Sequence, residues 1–232
     1  MSILNKHIKI FNLIQIELEN LGFTEFEHDP VFYSFYAKKN LGILTYLLSF
    51  HLSTKGIALS YVRGYVMVNS VNKILNQFIP DLSDNNELIT LKNYNNGGEL
   101  KDFEKINEHL KGKDTEGYIA AIMEHIKKVD FPFFTKYPDM ETINEEILNK
   151  KPESEYNNYI YGKKNFKVLI IMKLCNNPNY QNFKLWAEET YKNAIKLDAD
   201  RYGQDFDDLK SLIKYLDSGK YKEVLENKNE II

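Results

Sequence analysis

The spacing of apolar residues changes twice along this chain. Between residues 4 and 21 they recur every three or four positions, as in an amphipathic helix. From residue 31 to residue 68 apolar residues alternate with polar ones, and many of them are aromatic or aliphatic, which is typical of strands. From residue 115 onwards a helical period returns. This order of elements predicts an α+β protein: an N-terminal helix, a sheet and a mostly helical C-terminal half.

The alternating segment predicts an antiparallel sheet of three to four strands. Residues 31–38, 43–54 and 57–68 are joined by short polar turns, as in successive hairpins. Residues 88–91 form a fourth candidate strand. Apolar and polar side chains alternate within these strands, so one face of the sheet is expected to be buried and the other partly polar.

The most linker-like stretch lies at residues 149–158, which are rich in Lys, Glu and Asn and contain Pro152. It predicts an α+β domain over residues 1–150 and a helical subdomain packed on it over residues 151–232. Within the second part, residues 166–175 are apolar on nearly every side, and the helical pattern around them favours a buried helix over a buried strand.

Composition excludes several classes of function. The chain has 30 basic and 33 acidic residues, a formal net charge of -3, so neither nucleic acid nor an anionic membrane is an expected partner. Arg63 and Arg201 are its only arginines, which further disfavours specific DNA recognition. No signal peptide or membrane span is predicted, and a cytoplasmic location is expected.

Motifs of catalysis and cofactor binding are missing from the sequence. It has no glycine-rich phosphate loop and no Gly-x-Ser-x-Gly elbow, and its histidines are too widely spaced for HExxH. Cys175, the single cysteine, lies in an apolar run and is expected to be an inert core thiol. We therefore predict no cofactor, no metal and no catalytic residue, and favour a protein that is not an enzyme.

One surface of the predicted sheet is a candidate binding site. Side chains two positions apart in a strand point to the same side, and tyrosine and arginine are the residues that most often anchor protein interfaces. The candidate residues, from two adjoining strands, are Tyr61, Arg63, Tyr65, His51 and Ser49. The alternative is that a later helix covers this face and that Arg63 pairs with a carboxylate.

Three short segments carry a resemblance to a group of proteins. They are Leu21-Gly22-Phe23, the aromatic run at residues 32–36, and Phe131-Pro132-Phe133-Phe134. In this order the chain resembles uncharacterised bacterial domain families whose genes neighbour polymorphic toxins. The resemblance covers under half of the chain and implies an α+β fold with an immunity-type binding role, but no site residues.

Two classes of function remain open. The first is a protein-binding module, such as an immunity-type protein that occupies the surface of a toxin and needs no catalytic residues. The second is an enzyme assembled from distant residues, for example a small hydrolase that uses His51 with a nearby carboxylate. A purely structural role, or a role as a domain of a larger assembly, is a further possibility. The sequence leaves the oligomeric state undetermined.

Overall fold

A computed structural model describes residues 3–79, 85–93 and 99–226 of the chain. It has an N-terminal helix, a five-stranded sheet and a mostly helical C-terminal half. This confirms the α+β class predicted from the spacing of apolar residues. Within the described ranges, no helix combines the length and the apolar character that crossing a bilayer requires.

The strands follow one another in sequence order across a single sheet. They are β1 (Glu25–Asp29), β2 (Ser34–Asn40), β3 (Leu44–Leu52), β4 (Leu59–Val68) and β5 (Leu91–Lys92). The alternation of side chains predicted β2, β3 and β4. It did not predict β1, because three of the five residues of this edge strand are acidic and only Phe26 marks an apolar face. Acidic side chains on an edge strand discourage pairing with another chain.

Ten α-helices lie within the described residues. They are α1 (Ile3–Glu19), α2 (Asn69–Leu75), α3 (Asn85–Leu88), α4 (Glu99–Lys111), α5 (Thr115–Lys136), α6 (Met140–Ile143), α7 (Lys164–Leu174), α8 (Tyr180–Leu197), α9 (Ala199–Ser218) and α10 (Tyr221–Glu226). A π-helix at Asn144–Asn149 continues α6, and a 3₁₀ helix covers Glu153–Asn158.

The chain divides into two compact units. Unit 1 comprises Met1–Met67 and Leu91–Pro138, and unit 2 comprises Val68–Thr90 and Asp139–Ile232. The boundary predicted after residue 150 lies inside unit 2. Val68–Thr90, from the middle of the chain, thus belongs to the same unit as the C-terminal half, although no change in composition marks its ends.

In unit 1, helices α1 and α5 pack on one face of the sheet. Phe11 of α1 stacks on Phe35 of β2, with 5.0 Å between ring centroids. Phe134 of α5 stacks on Tyr46 of β3 at 4.4 Å, and the Tyr46 hydroxyl donates to the carbonyl of Phe134. Aromatic contacts of this kind add to the free energy gained by burying apolar area, so these stacks fix both helices against the sheet.

The sequence segment Phe131-Pro132-Phe133-Phe134 lies within α5. Only Phe134 of its three aromatic side chains is buried. The helix continues through Pro132 and ends at Lys136. The apolar cluster expected at this point is therefore the last part of α5, where Phe134 packs on the sheet.

Strand β5 is short, and side chains supply hydrogen bonds to backbone groups of β4 that it does not reach. Asn107 of α4 accepts from the Leu59 amide at 2.8 Å and donates to the Leu59 carbonyl at 2.9 Å. Asp130 of α5 accepts from the Gly64 amide at 2.7 Å. Unpaired backbone groups at a sheet edge invite pairing with other chains. These contacts satisfy them from within unit 1.

In unit 2, α7 is the buried helix predicted from its continuous apolar run. Every side chain in 166–172 is buried, including that of Lys167. The segment that looked like a linker is docked: Tyr156 is buried, and its hydroxyl donates to the Leu148 carbonyl at 2.8 Å. The Asn177 amide also donates to Asn149 at 2.8 Å. Polar composition alone therefore did not indicate a flexible link.

Candidate functional site

Two rows of polar side chains cross the sheet face opposite to Phe35 and Phe50. Strand pairing aligns Asp29 with Ser34 and His51 in one row, and Glu27 with Tyr36 and Ser49 in the next. Burial raises the pKa of the Tyr36 hydroxyl, and the hydroxyl of Tyr61 together with the carboxylates of Asp29 and Glu27 raises it further. These groups therefore share one face and lie close enough to influence one another.

The centre of this face is a stack of three side chains. The rings of His51 and Tyr61 lie 5.3 Å apart with an interplanar angle of 10°. The guanidinium carbon of Arg63 lies 5.8 Å from the centre of the Tyr61 ring, within the range of a cation–π contact. All three are half-buried. With Tyr36 they form a surface that we call the tyrosine face.

The candidate residues taken from the sequence are distributed unevenly. His51, Tyr61 and Arg63 come together in the stack. Ser49 and Tyr65 are only 4% and 9% exposed and contribute little accessible surface. Tyr36 was missed. The alternation of Ser34, Tyr36 and Lys38 along β2 could have placed it on the same face as His51.

An exposed apolar turn adjoins the tyrosine face between β1 and β2. The Asp29 carboxylate accepts from the amides of Val31 and Phe32, at 2.9 and 3.1 Å. Tyr33 adopts a left-handed backbone conformation with φ 53°, which is uncommon for a residue other than glycine. The side chains of Val31 and Phe32 are 75% and 65% exposed. Two large apolar side chains thus stand side by side on a turn of fixed conformation.

The contacts of His51 bear on whether this face is catalytic. Its Nδ1 lies 3.2 Å from Ser34 Oγ, and the Ser34 hydroxyl donates to the Phe32 carbonyl. Ser34 Oγ thus lies equally close to a backbone oxygen and to the His51 ring, and Ser34 is only 3% exposed. Among the described residues, burial, His7 and the Phe32 backbone shift the pKa of His51, but no carboxylate does.

Acid is expected to destabilise unit 1 through two histidines. Burial lowers the pKa of His28 and of His51, and the neighbouring His7 lowers both further. A group with a depressed pKa in the folded state binds fewer protons than in the unfolded state, so stability is lost as the pH falls below about 6.5. His51→Gln removes one of these groups.

Urea unfolding of wild type and His51→Gln at about pH 7 and about pH 5 tests this expectation. The midpoint should fall with acid in both proteins, and less in the variant. An equal fall in both would contradict a depressed pKa at His51.

Other reactive groups in the described part of the chain are poorly placed for catalysis. Burial raises the pKa of the Cys175 thiol to about 12, so it is protonated at neutral pH. No three histidine, cysteine, aspartate or glutamate side chains among those residues converge to hold a metal ion.

Comparisons with known protein families, characterised proteins and solved structures gave no match. The fold and the tyrosine face define an α+β protein whose candidate site is a surface of aromatic and charged side chains. The resemblance to toxin-neighbouring families therefore rests on the three short segments alone. The first of these, Leu21-Gly22-Phe23, has a structural role: Gly22 follows the end of α1 with φ 82°, and Phe23 is buried.

Proposed function

We propose that this protein is a non-catalytic protein-binding module of the immunity type, and that it binds its partner through the tyrosine face and the adjoining turn. The observation that carries the proposal is the stack of His51, Tyr61 and Arg63 beside two exposed apolar side chains. Tyrosine and arginine supply much of the binding energy at protein interfaces when they are packed against neighbours.

Order within the stack favours binding. Association costs free energy for each flexible side chain that becomes immobile. Arg63 already lies over Tyr61, and Tyr61 already lies against His51. The turn is likewise held by two hydrogen bonds to Asp29. A partner would therefore meet side chains whose conformations are largely set.

The charges around the face indicate the chemistry of the partner. Glu27 and Asp29 on edge strand β1 act on Tyr36 from one side. A protein that presents lysine or arginine side chains to β1 and an apolar patch to Val31 and Phe32 would complement this arrangement. A basic toxin fits this description, and the overall charge of -3 has the matching sign.

The hydrolase alternative is less well supported by the same geometry. It needs His51 to act with a carboxylate or to take a proton from a nucleophile. The described polar groups that act on His51 are instead the hydroxyl of Ser34, a residue that is only 3% exposed, the Phe32 backbone and His7. A half-buried ring stacked flat on Tyr61 suits recognition better than proton transfer.

Tyr61→Ala and Arg63→Ala are each expected to weaken binding of the partner at least about tenfold, because both residues lie at the centre of the face. Tagged wild-type protein is used to capture the partner from a lysate of the source cells. The purified partner is then titrated against each variant by isothermal calorimetry. Circular dichroism confirms that the variants are folded.

The chain offers a matched control at its other arginine. Arg201 on α9 also lies over a tyrosine, with its guanidinium carbon 5.2 Å from the centre of the Tyr202 ring. Arg201→Ala should leave the affinity unchanged. If folded Tyr61→Ala and Arg63→Ala bind as wild type does, or if Arg201→Ala weakens binding as much as they do, the tyrosine face is not the binding surface.

A further inference from the structure

A second surface of unit 1, distinct from the tyrosine face, has the form of a groove between α1 and α5. It has a volume of about 480 Å³. Its apolar lining comes from two helices, and these residues are Leu13 and Ile16 of α1 and Ile119, Ala120 and Met123 of α5. None of these side chains belongs to the tyrosine face. The groove is therefore an independent feature of the same unit.

The apolar residues of the groove are incompletely covered. Ile119 and Met123 are buried and form its floor, whereas Ile16 at its wall is 55% exposed. Methionine adapts its shape readily and is common on surfaces that receive apolar partner side chains. An exposed isoleucine beside a methionine floor leaves apolar area that an incoming side chain can bury.

Carboxylates stand at both sides of the groove. Glu17 lies on α1, and Glu116 and Glu124 lie on α5. Glu124 is paired with Lys128, and Lys127 also lines the groove. Glu17 and Glu116 are exposed and make no hydrogen bond or ion pair with any residue that the structure describes. The lining of the groove thus combines an apolar floor with three carboxylates and one lysine, Lys127, and is negative on balance.

The length of the groove matches a short helix. Its α5 lining runs from Thr115 to Lys127, about 18 Å at the usual rise per residue, or somewhat more than three helical turns. A third helix that packs against two others buries a stripe of side chains spaced three and four residues apart. Lysine or arginine side chains flanking that stripe would reach Glu17 and Glu116.

We infer that the groove between α1 and α5 binds an amphipathic, basic helix of a partner protein, with its apolar stripe on Ile16 and Met123 and its cations at Glu17 and Glu116. This inference stands independently of the tyrosine face, because the two surfaces share no residue. Charge complementarity distinguishes the proposed occupant from an acidic helix, which the two carboxylates would repel.

The test uses a fluorescent, hydrocarbon-stapled helical peptide of about four turns, with leucines on one face and lysines on the flanks. A second peptide carries glutamates in place of the lysines, and a third has the first composition in a non-amphipathic order. Fluorescence anisotropy with the full-length protein should show binding of the first peptide. The other two should bind at least about tenfold more weakly.

Charge-reversal and apolar-to-charged variants locate the peptide. Glu17→Lys and Glu116→Lys change exposed residues and should each weaken binding of the basic peptide at least about threefold, and Ile16→Asp at least about tenfold. Glu104→Lys on α4 is the matched control and should have no effect. Equal binding of the basic and acidic peptides, no binding, or insensitivity to all three groove variants would overturn the inference.

Sedimentation velocity tests whether a second copy of this chain, rather than a partner protein, occupies the groove. A dimer of wild-type protein that Ile16→Asp dissociates would assign the groove to a second copy of this chain and would also overturn the inference. A monomer in both proteins, together with selective binding of the basic peptide, supports it.

Discussion

Asp130→Ala is expected to lower the free energy of unfolding of unit 1 by about 3 kcal/mol. Asp130 is 1% exposed, and its Oδ1 accepts from the Gly64 amide at 2.7 Å and from the Asn93 side chain at 3.0 Å. Removing the carboxylate leaves two donors without this acceptor in a buried place. Each such loss costs more than the net contribution of an ordinary hydrogen bond.

The effect should be measured by hydrogen exchange in the peptides that cover β4 and α5. A loss of about 3 kcal/mol corresponds to exchange that is faster by about two powers of ten. Asp130→Asn keeps an acceptor oxygen in the same place and should lose about a third as much. Glu104→Ala, an exposed carboxylate on α4, should lose almost nothing. Unchanged exchange in Asp130→Ala would contradict the role given to this contact.

The contact between Asp130 and the Gly64 amide also explains why position 64 is glycine. A Cβ there would lie 2.7 Å from Asp130 Oδ1 and 3.0 Å from a ring carbon of Phe134. Both distances are shorter than ordinary contacts, so a side chain would displace either α5 or β4. Because Gly64 lies next to Arg63, this close approach helps to set the strand that presents the tyrosine face.

Replacing Lys167 by methionine is expected to change how the stability of unit 2 depends on pH. Lys167 is fully buried, and its ammonium nitrogen donates to the carbonyls of Ile89 and Tyr161. Burial lowers its pKa from 10.5 to about 7, although Glu87 acts in the opposite direction. Between these two values the unfolded chain binds more protons than the folded chain, so the free energy of unfolding rises with pH.

From about pH 7 to about pH 9 the contribution of Lys167 raises the free energy of unfolding by about 2 kcal/mol. Relative to Lys167→Met, the wild type should therefore become more stable by that amount over the same range. Trp186 in α8 gives a fluorescence signal from unit 2 for urea unfolding at each pH. Lys214→Met replaces an exposed lysine on α9 and should not change the pH dependence. A constant difference between wild type and Lys167→Met would show that the folded pKa is close to 10.5.

Side-chain periodicity predicted the elements in which one face is clearly apolar. Helix α1 and strands β2 to β4 follow from it, whereas α7 is apolar on nearly every side and was predicted from the helical pattern around it. Tyr61 and His51 were predicted to share one face from the same period of two, and their rings are stacked. Periodicity is informative here because burial of one face requires it.

Features that depend on contacts between distant segments were beyond this reasoning. Strand β1 is short and acidic and pairs with β2 through its backbone, so its side chains carry little signal. A lysine is normally expected in solvent, yet the ammonium group of Lys167 is buried and donates hydrogen bonds to two backbone carbonyls. The assignment of Val68–Thr90 to unit 2 likewise depends on tertiary contacts.

Site-specific photo-crosslinking tests whether the tyrosine face and its turn bind a protein partner. Phe32→p-benzoylphenylalanine places the photoreactive group on the exposed turn, and Leu197→p-benzoylphenylalanine places it at an exposed position at the end of α8. With the captured partner, we expect a strong crosslink from position 32 that Arg63→Ala greatly weakens, and none from position 197. A crosslink from position 197 alone, or one from position 32 that is undiminished in Arg63→Ala, would contradict this expectation.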